Sequence, residues 1–304
     1  MKGAKNFTEP EMTPEEAVVN ALNEQGFLFH HKILDVLRAP SVKKKLKHEW
    51  HVEASEVPVA LPTGDHETRI DLVLRHGQNE NSLWRAVVEC KRATKDYKRW
   101  VFFGQTEWSA GPGQNQYFFH KAQLVGTWHR NNMPEPPLHH WIERCPSQRN
   151  CPVFDYGVEV KLSPPNRDKK SSATEAIESA FNQVTLGVSG LALRLASAHH
   201  LTYRIFPIVV TTAELFSLNY STRWVPIETG MLSPQNIELK PMRWLAVNHR
   251  VRDAVSRHPG SSSTKSIDVA VELASKQVRT VFVVQSTRLH EFLAWTENHL
   301  PLKQ

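Results

Sequence analysis

The sequence predicts an α/β protein, with a central mixed β-sheet covered by helices on both faces in a three-layer α/β/α arrangement. Three observations carry that expectation. Apolar residues switch repeatedly between helical spacing and short strand-like runs. A long helical stretch over 172–198 stands between strand-like segments. Hydrophobic residues make up 40% of the 304 positions and charged residues 22%, which is enough for a sizeable core.

Thr13-Pro14-Glu15-Glu16 opens the first helix. Thr13 suits the cap, Pro14 suits the first turn, and Glu16 stands where it can reach back to the cap. Ala17, Val18, Ala21 and Leu22 give this helix an apolar face. Gly26 interrupts it, and Phe29, Ile33, Leu34 and Leu37 resume helical spacing. Trp50 to Leu61, Thr68 to Leu74 and Leu83 to Cys90 then read as a meander of three strands, joined by a turn at 62–65 and a polar link at 76–81. The third strand is apolar enough to lie centrally. Residues 104–152 are rich in Gly, Pro, Asn and Gln; they read as an insertion or a long active-site loop, with a helix over Phe118 to Trp128.

Asp155 to Leu162 is a fourth strand, ended by Pro164-Pro165. Ser172 to Ala198 forms a helix whose apolar face includes Ala176, Ala180, Val184, Val188 and Leu191. Tyr203 to Val210 is a buried strand with an irregularity expected at Pro207. Arg243 to Val247 and Val278 to Val284 are further strands, and Thr287 to His299 is a closing helix. No linker divides the chain. Residues 1–304 therefore read as one domain, with a core over about 15–215, an insertion at about 104–152 and an extension over 215–304 that carries no interpretable motif.

The net charge is +6 and the isoelectric point about 9.2, a balance that favours a polyanionic partner. Lys43, Lys44, Lys45 and Lys47 form one basic cluster; Lys91, Arg92, Lys95, Lys98 and Arg99 form another, directly after an apolar strand. No apolar run is long enough for a membrane-spanning helix. The N-terminus has no apolar leader and the chain has three cysteines, which together point to the cytoplasm. Phosphate-cradling glycine loops of the GxxxxGK[ST] or GxGxxG type are missing, as is a GxSxG elbow. His139, His140, Cys145 and Cys151 lie close in sequence but lack a CxxC pair, so packed or exposed side chains are favoured over structural zinc. His30 and His31 could face a cleft if their helix borders it, although core or surface positions are commoner for such a pair.

The feature with most chemical content is Asp71 on the second strand and Glu89-Cys90-Lys91 ending the third. Residues two apart on a strand share a face, so Glu89 and Lys91 project together and Cys90 turns away. A hairpin can bring the Asp71 carboxylate beside that of Glu89. Two close carboxylates repel unless a cation neutralises them, and hard oxygen ligands suit Mg²⁺. Lys91 can then offset charge developing on a phosphate. Glu159-Val160-Lys161 repeats the ExK pattern, but its nearest upstream acid, Asp155, sits on the same strand and cannot form a hairpin pair with it. The pair Glu89 and Lys91 is preferred.

Ile70-Asp71, 17 residues, then Glu89-Cys90-Lys91 resembles the motif of the PD-(D/E)XK, or restriction-endonuclease-like, nucleases, with Ile70 in place of the proline. The resemblance implies a restriction-endonuclease-like fold and hydrolysis of DNA phosphodiester bonds with Mg²⁺ or Mn²⁺. It implies that Asp71 and Glu89 bind the metal and that Lys91 assists the attack. An acidic residue of the first helix often joins such sites; Glu24 is the candidate here, with Glu16 its rival. A glutamine often follows the core, and Gln183 fits that place. Arg92, Lys95, Lys98 and Arg99 would hold the nucleic-acid backbone. The resemblance further implies duplex DNA as substrate and a homodimer that cuts both strands. A looser similarity to nuclease modules of bacterial anti-phage defence systems implies a partner protein of such a system. The rival reading is a non-catalytic nucleic-acid-binding or assembly protein with the same fold; a third, a small-molecule hydrolase on an unrelated sheet, leaves the basic cluster without a purpose.

Overall fold

The computed structural model describes residues 12–39, 48–60, 67–77, 84–94, 96–104, 116–124, 138–148, 150–161, 175–198, 203–250, 278–300 and 302. Helix α1 (Pro14–Gln25) begins as expected: the Thr13 hydroxyl accepts from the Glu16 amide and the Glu16 carboxylate accepts from the Thr13 amide. Gly26, at φ +74°, ends α1 in a left-handed turn that other residues rarely adopt, and α2 (Phe27–Arg38) starts directly after it. Strands β1 (Trp50–Ala60), β2 (Glu67–His76) and β3 (Trp84–Lys91) form the antiparallel meander.

The next elements are β4 (Arg99–Phe103), β5 (Gln116–Leu124), β6 (Leu138–Pro146), β7 (Val153–Phe154) and β8 (Tyr156–Val160). Helix α3 (Glu175–Ala198), strands β9 (Tyr203–Thr211), β10 (Glu214–Asn219), β11 (Glu238–Met242), β12 (Trp244–Arg250) and β13 (Val278–Gln285), and helix α4 (Leu289–His299) complete the order. The main mixed sheet runs β1-β2-β3-β9-β13-β12-β7, with hairpin β5–β6 attached to β9. A second sheet, β11-β10-β4-β8, stands apart from it. The chain is therefore α/β with a large mixed sheet, but among the described residues the single sheet expected from sequence is two.

The central strands β3, β9 and β13 are buried on both faces, and successive side chains meet opposite layers. Val73, Val87, Val209 and Val283 join one core with Ala180, Val184 and Val188 of α3 and with Trp100 and Phe102 of the second sheet. Leu72, Val88, Phe206, Ile208 and Phe282 point the other way, to Ile33 and Leu37 of α2 and Phe292 and Leu293 of α4. Each fully buried Val, Leu or Phe contributes roughly 1.5–3 kcal/mol, so both faces of the sheet are anchored.

Two local readings are corrected. Residues 116–124, expected to begin a helix at Phe118, form β5: Tyr117 and Phe119 are both fully buried among Phe206 and Phe282, a period of two that the aromatic run concealed. Pro207, the expected irregularity, sits inside β9 without a break. On the side away from β3, β9 pairs with β5 through Tyr203–Ile205 and with β13 from Ile208 on, so the proline lies in the gap between the two partners. Helix α3 approaches the meander closely. A Cβ added at Gly190 would stand 2.6 Å from Val59 Cγ2, and one at Gly187 would stand 3.0 Å from both Ile70 and Val87. That close approach sets where α3 presents Gln183.

Candidate active site

The register of β2 against β3 brings the sequence-predicted residues together. Leu72 pairs with Val88, so the next step of the antiparallel ladder sets Asp71 opposite Glu89. The Asp71 carboxylate accepts the Cys90 amide at 2.8 Å, which ties it to the end of β3. Alternation from Val73 and Val87 places Asp71, Glu89 and Lys91 on the face covered by α3, while Cys90 packs towards the other core. Lys91 Nζ donates to Gln183 Oε1 at 3.5 Å. Asp71, Glu89, Lys91, Gln183 and Arg92 all border one cavity of about 300 Å³.

Three further charged or titratable residues line this cavity, His30, Glu56 and Arg69. The His30 side chain, 6% exposed, places Nδ1 2.8 Å from Glu56 Oε1, and Arg69 Nε lies 2.7 Å from Glu56 Oε2. His30, Glu56 and Asp71 each offer a donor atom, all within 4.8 Å of one another. Glu56 lies between Ser55 and Val57, which pair with Leu72 and Ile70, so it stands across from Asp71. It holds φ +53°, and among the described residues it alone departs to positive φ without being glycine. That backbone costs on the order of 1–2 kcal/mol and persists because His30 and Arg69 grip both carboxylate oxygens. Sequence spacing raised His30 only conditionally and missed Glu56. An acid in a strand of alternating polarity carries no signal for a left-handed backbone or for a helix docking on it.

The electrostatics fit a missing positive charge. Burial pushes the Glu89 carboxyl up to about 8, and the Asp71 charge adds to the rise against the pull of Lys91. Burial also raises Asp71, although the Cys90 amide opposes it. His30 Nε2 is buried with no hydrogen-bond partner. A divalent cation would satisfy all three conditions, and the donor set fits one: hard carboxylate oxygens with one imidazole suit Mn²⁺ as well as Mg²⁺. His30 and Glu56 gather at Asp71, with Glu89 in the same cavity; His30 and Arg69 engage both Glu56 oxygens, which leaves His30 Nε2, Asp71 and Glu89 to face a cation.

The remaining expected residues fall as follows. Glu24 lies on α1, with its side chain outside those described, and Lys95 lies outside the described residues. Glu16 serves the cap of α1. Lys98 is exposed. Arg99 donates to Glu214 at 3.0 Å and stands over the Phe216 ring, so its charge is partly engaged on the second sheet. The second ExK acid serves the fold. Glu159 Oε1 accepts the Ala176 and Ile177 amides at 2.6 and 3.3 Å, holding the first turn of α3; burial raises its carboxyl, and these amides and the Lys91 charge oppose the rise. Cys151 is fully buried, its thiol pushed up to about 12 by burial, as a packed side chain rather than a reactive one. The side chains of His139 and His140 lie outside those described.

No helix among the described residues is long and apolar enough to cross a membrane. Comparison of the chain with protein-family models, with curated proteins and with solved structures finds no match in any of the three.

Proposed function

We propose that this protein is a metal-dependent nuclease of the PD-(D/E)XK type that hydrolyses phosphodiester bonds of DNA. The observation that supports it best is that Asp71, one residue past the Leu72–Val88 pair and bonded to the Cys90 amide, borders one cavity with Glu89 and Lys91. Asp71 and Glu89, joined by His30, would hold a divalent cation, Mg²⁺ or Mn²⁺. Such an ion, when bound, supplies polarisation of a phosphate oxygen and a lowered pKa for a bound water. The chain supplies the rest. Glu56 orients the His30 ring through Nδ1, as partners of metal-ligating histidines commonly do. Gln183 steadies Lys91, whose ammonium offsets the charge that develops on the phosphate. Arg92, exposed and lining the cavity, would meet a neighbouring phosphate. The resemblance extends the proposal to duplex DNA, a homodimer and a partner protein of an anti-phage system.

The test is cleavage of plasmid and linear DNA with Mg²⁺ or Mn²⁺, against EDTA and against Lys91→Ala. Metal-dependent cutting that falls by about 10²–10³ in the variant supports the assignment. Cutting that survives both EDTA and the substitution overturns it. Binding without cutting favours the non-catalytic reading, to which the Arg69–Glu56–His30 pairing lends one observation: it partly balances the acids of the cavity without a metal.

A further inference from the structure

A second cavity, about 760 Å³, lies where the end of β4, strand β8, helix α3 and strand β12 meet. Its volume falls in the range of small-ligand sites. Its lining differs in kind from that of the catalytic cavity. Tyr156 is 51% exposed and stacks on Phe103 with ring centres 5.6 Å apart and planes 27° apart. Tyr220 braces Phe103 from the edge at 6.3 Å. A large aromatic ring held half in solvent by a second ring beneath it is a stacking platform, because the lower ring fixes the upper one at little further entropic cost. Charged groups of both signs line the cleft: the exposed carboxylates of Asp155 and Glu178, and the exposed Arg250 guanidinium. A carboxylate can accept from an exocyclic amine, and the guanidinium can meet a phosphate.

We infer that this cleft receives a nucleobase stacked on Tyr156. The inference deepens the nuclease reading, and its choice of a DNA strand over a free nucleotide rests on that reading. Both cavities border α3: Phe181 and Glu178 face the cleft, and Gln183 faces the catalytic cavity. On β8, Val158 lines the cleft while the next residue, Glu159, lies close enough to Lys91 for their charges to interact. A base can reach Tyr156 only when it is unpaired. The duplex substrate is thereby narrowed to one that carries a single-stranded portion able to enter the cleft.

The experiment is binding in EDTA, where cleavage plays no part. A fluorescein-labelled oligodeoxycytidylate about fifteen nucleotides long, whose bases carry an exocyclic amine, is titrated into wild type, Tyr156→Ala and Tyr156→Phe, with a strand of equal length lacking bases as control. Loss of one stacking contact weakens binding by about tenfold or more. Tyr156→Ala is expected to show that loss, Tyr156→Phe to retain wild-type binding, and the abasic strand to bind wild type about as weakly as the base-bearing strand binds Tyr156→Ala. Tyr156 is exposed enough for its replacement to leave the fold intact, and circular dichroism checks this. Equal binding of the abasic strand, an undiminished Tyr156→Ala, or no binding of any probe overturns the inference. A free mononucleotide, titrated by calorimetry, separates the sources: Tyr156-dependent binding as tight as the strand's supports the base site and overturns the strand as its source. Cleavage by wild type in Mn²⁺ is scored separately. Its absence, with Tyr156-dependent binding intact, refutes the nuclease reading and leaves the base site standing.

Discussion

Replacing Glu89 by glutamine should stabilise the metal-free protein while abolishing cleavage. The side chain is 8% exposed, and burial together with the Asp71 charge lifts its carboxyl from 4.5 to about 8. The folded chain therefore keeps a proton on Glu89 through a pH range in which the unfolded chain has released it. Proton binding by the folded state alone means that stability falls as pH rises, from about 4.5 to about 8, and levels off above. At pH 7 the accumulated loss is about 3 kcal/mol at most, from about 1.36 kcal/mol per pH unit. Glutamine keeps the shape without the titration, so it should remove this slope. Melting followed by calorimetry between pH 4.5 and 9 should show the two proteins converging at the acid end. Near neutrality the variant should lead by about 5 °C or more, at about 2–4 °C per kcal/mol. Mn²⁺ should raise the melting temperature of wild type at pH 8, by about 2.7 kcal/mol at a hundredfold excess over its Kd, and leave the variant unmoved. A variant that melts at or below wild type at pH 8, or that gains as much from Mn²⁺, would refute the claim that two buried acids await a cation.

Three other substitutions separate the parts of the site. Glu159→Ala should cost about 1 kcal/mol in a denaturant melt, through loss of its bonds to the first turn of α3, while cleavage stays within a few-fold of wild type; a collapse of activity would mean that the second ExK copy is the reacting one. Glu56→Gln should weaken Mn²⁺ binding by about tenfold to a hundredfold, measured by calorimetry, with cleavage largely restored at saturating metal; unchanged affinity would deny Glu56 its hold on His30. Gly190→Ala should destabilise by about 1–3 kcal/mol, because the new methyl meets Val59 at 2.6 Å and must push α3 off the meander; an unchanged melt would show that α3 has room to shift.

Much of the site was legible because it is local. Asp71 and Glu89 belong to consecutive strands of one meander, and alternation assigns Glu89 and Lys91 to one face before any tertiary contact is known. The capped start of α1, the break at Gly26 and the long helix carrying Gln183 were readable for the same reason: each depends on neighbours a few residues away. Phe118 and its neighbours misled because Tyr117 and Phe119 are buried by strands far along the chain, which a helical count of the segment alone does not reveal. Even the two ExK copies look alike until α3 sets its first turn on Glu159.

The amino-acid order alone determined the period of the β1–β3 meander, the capped start of α1 and the trio of Asp71, Glu89 and Lys91, since these follow from backbone geometry over short separations. Tertiary structure decided what surrounds them: β13 beside β9, a second sheet built from β4, β8, β10 and β11, and the arrival of His30 and Glu56 at Asp71. Those outcomes depend on apolar faces choosing partners dozens to hundreds of residues distant. They also depend on a strained φ at Glu56 that only its assembled neighbours can hold, and no short-range pattern encodes either condition.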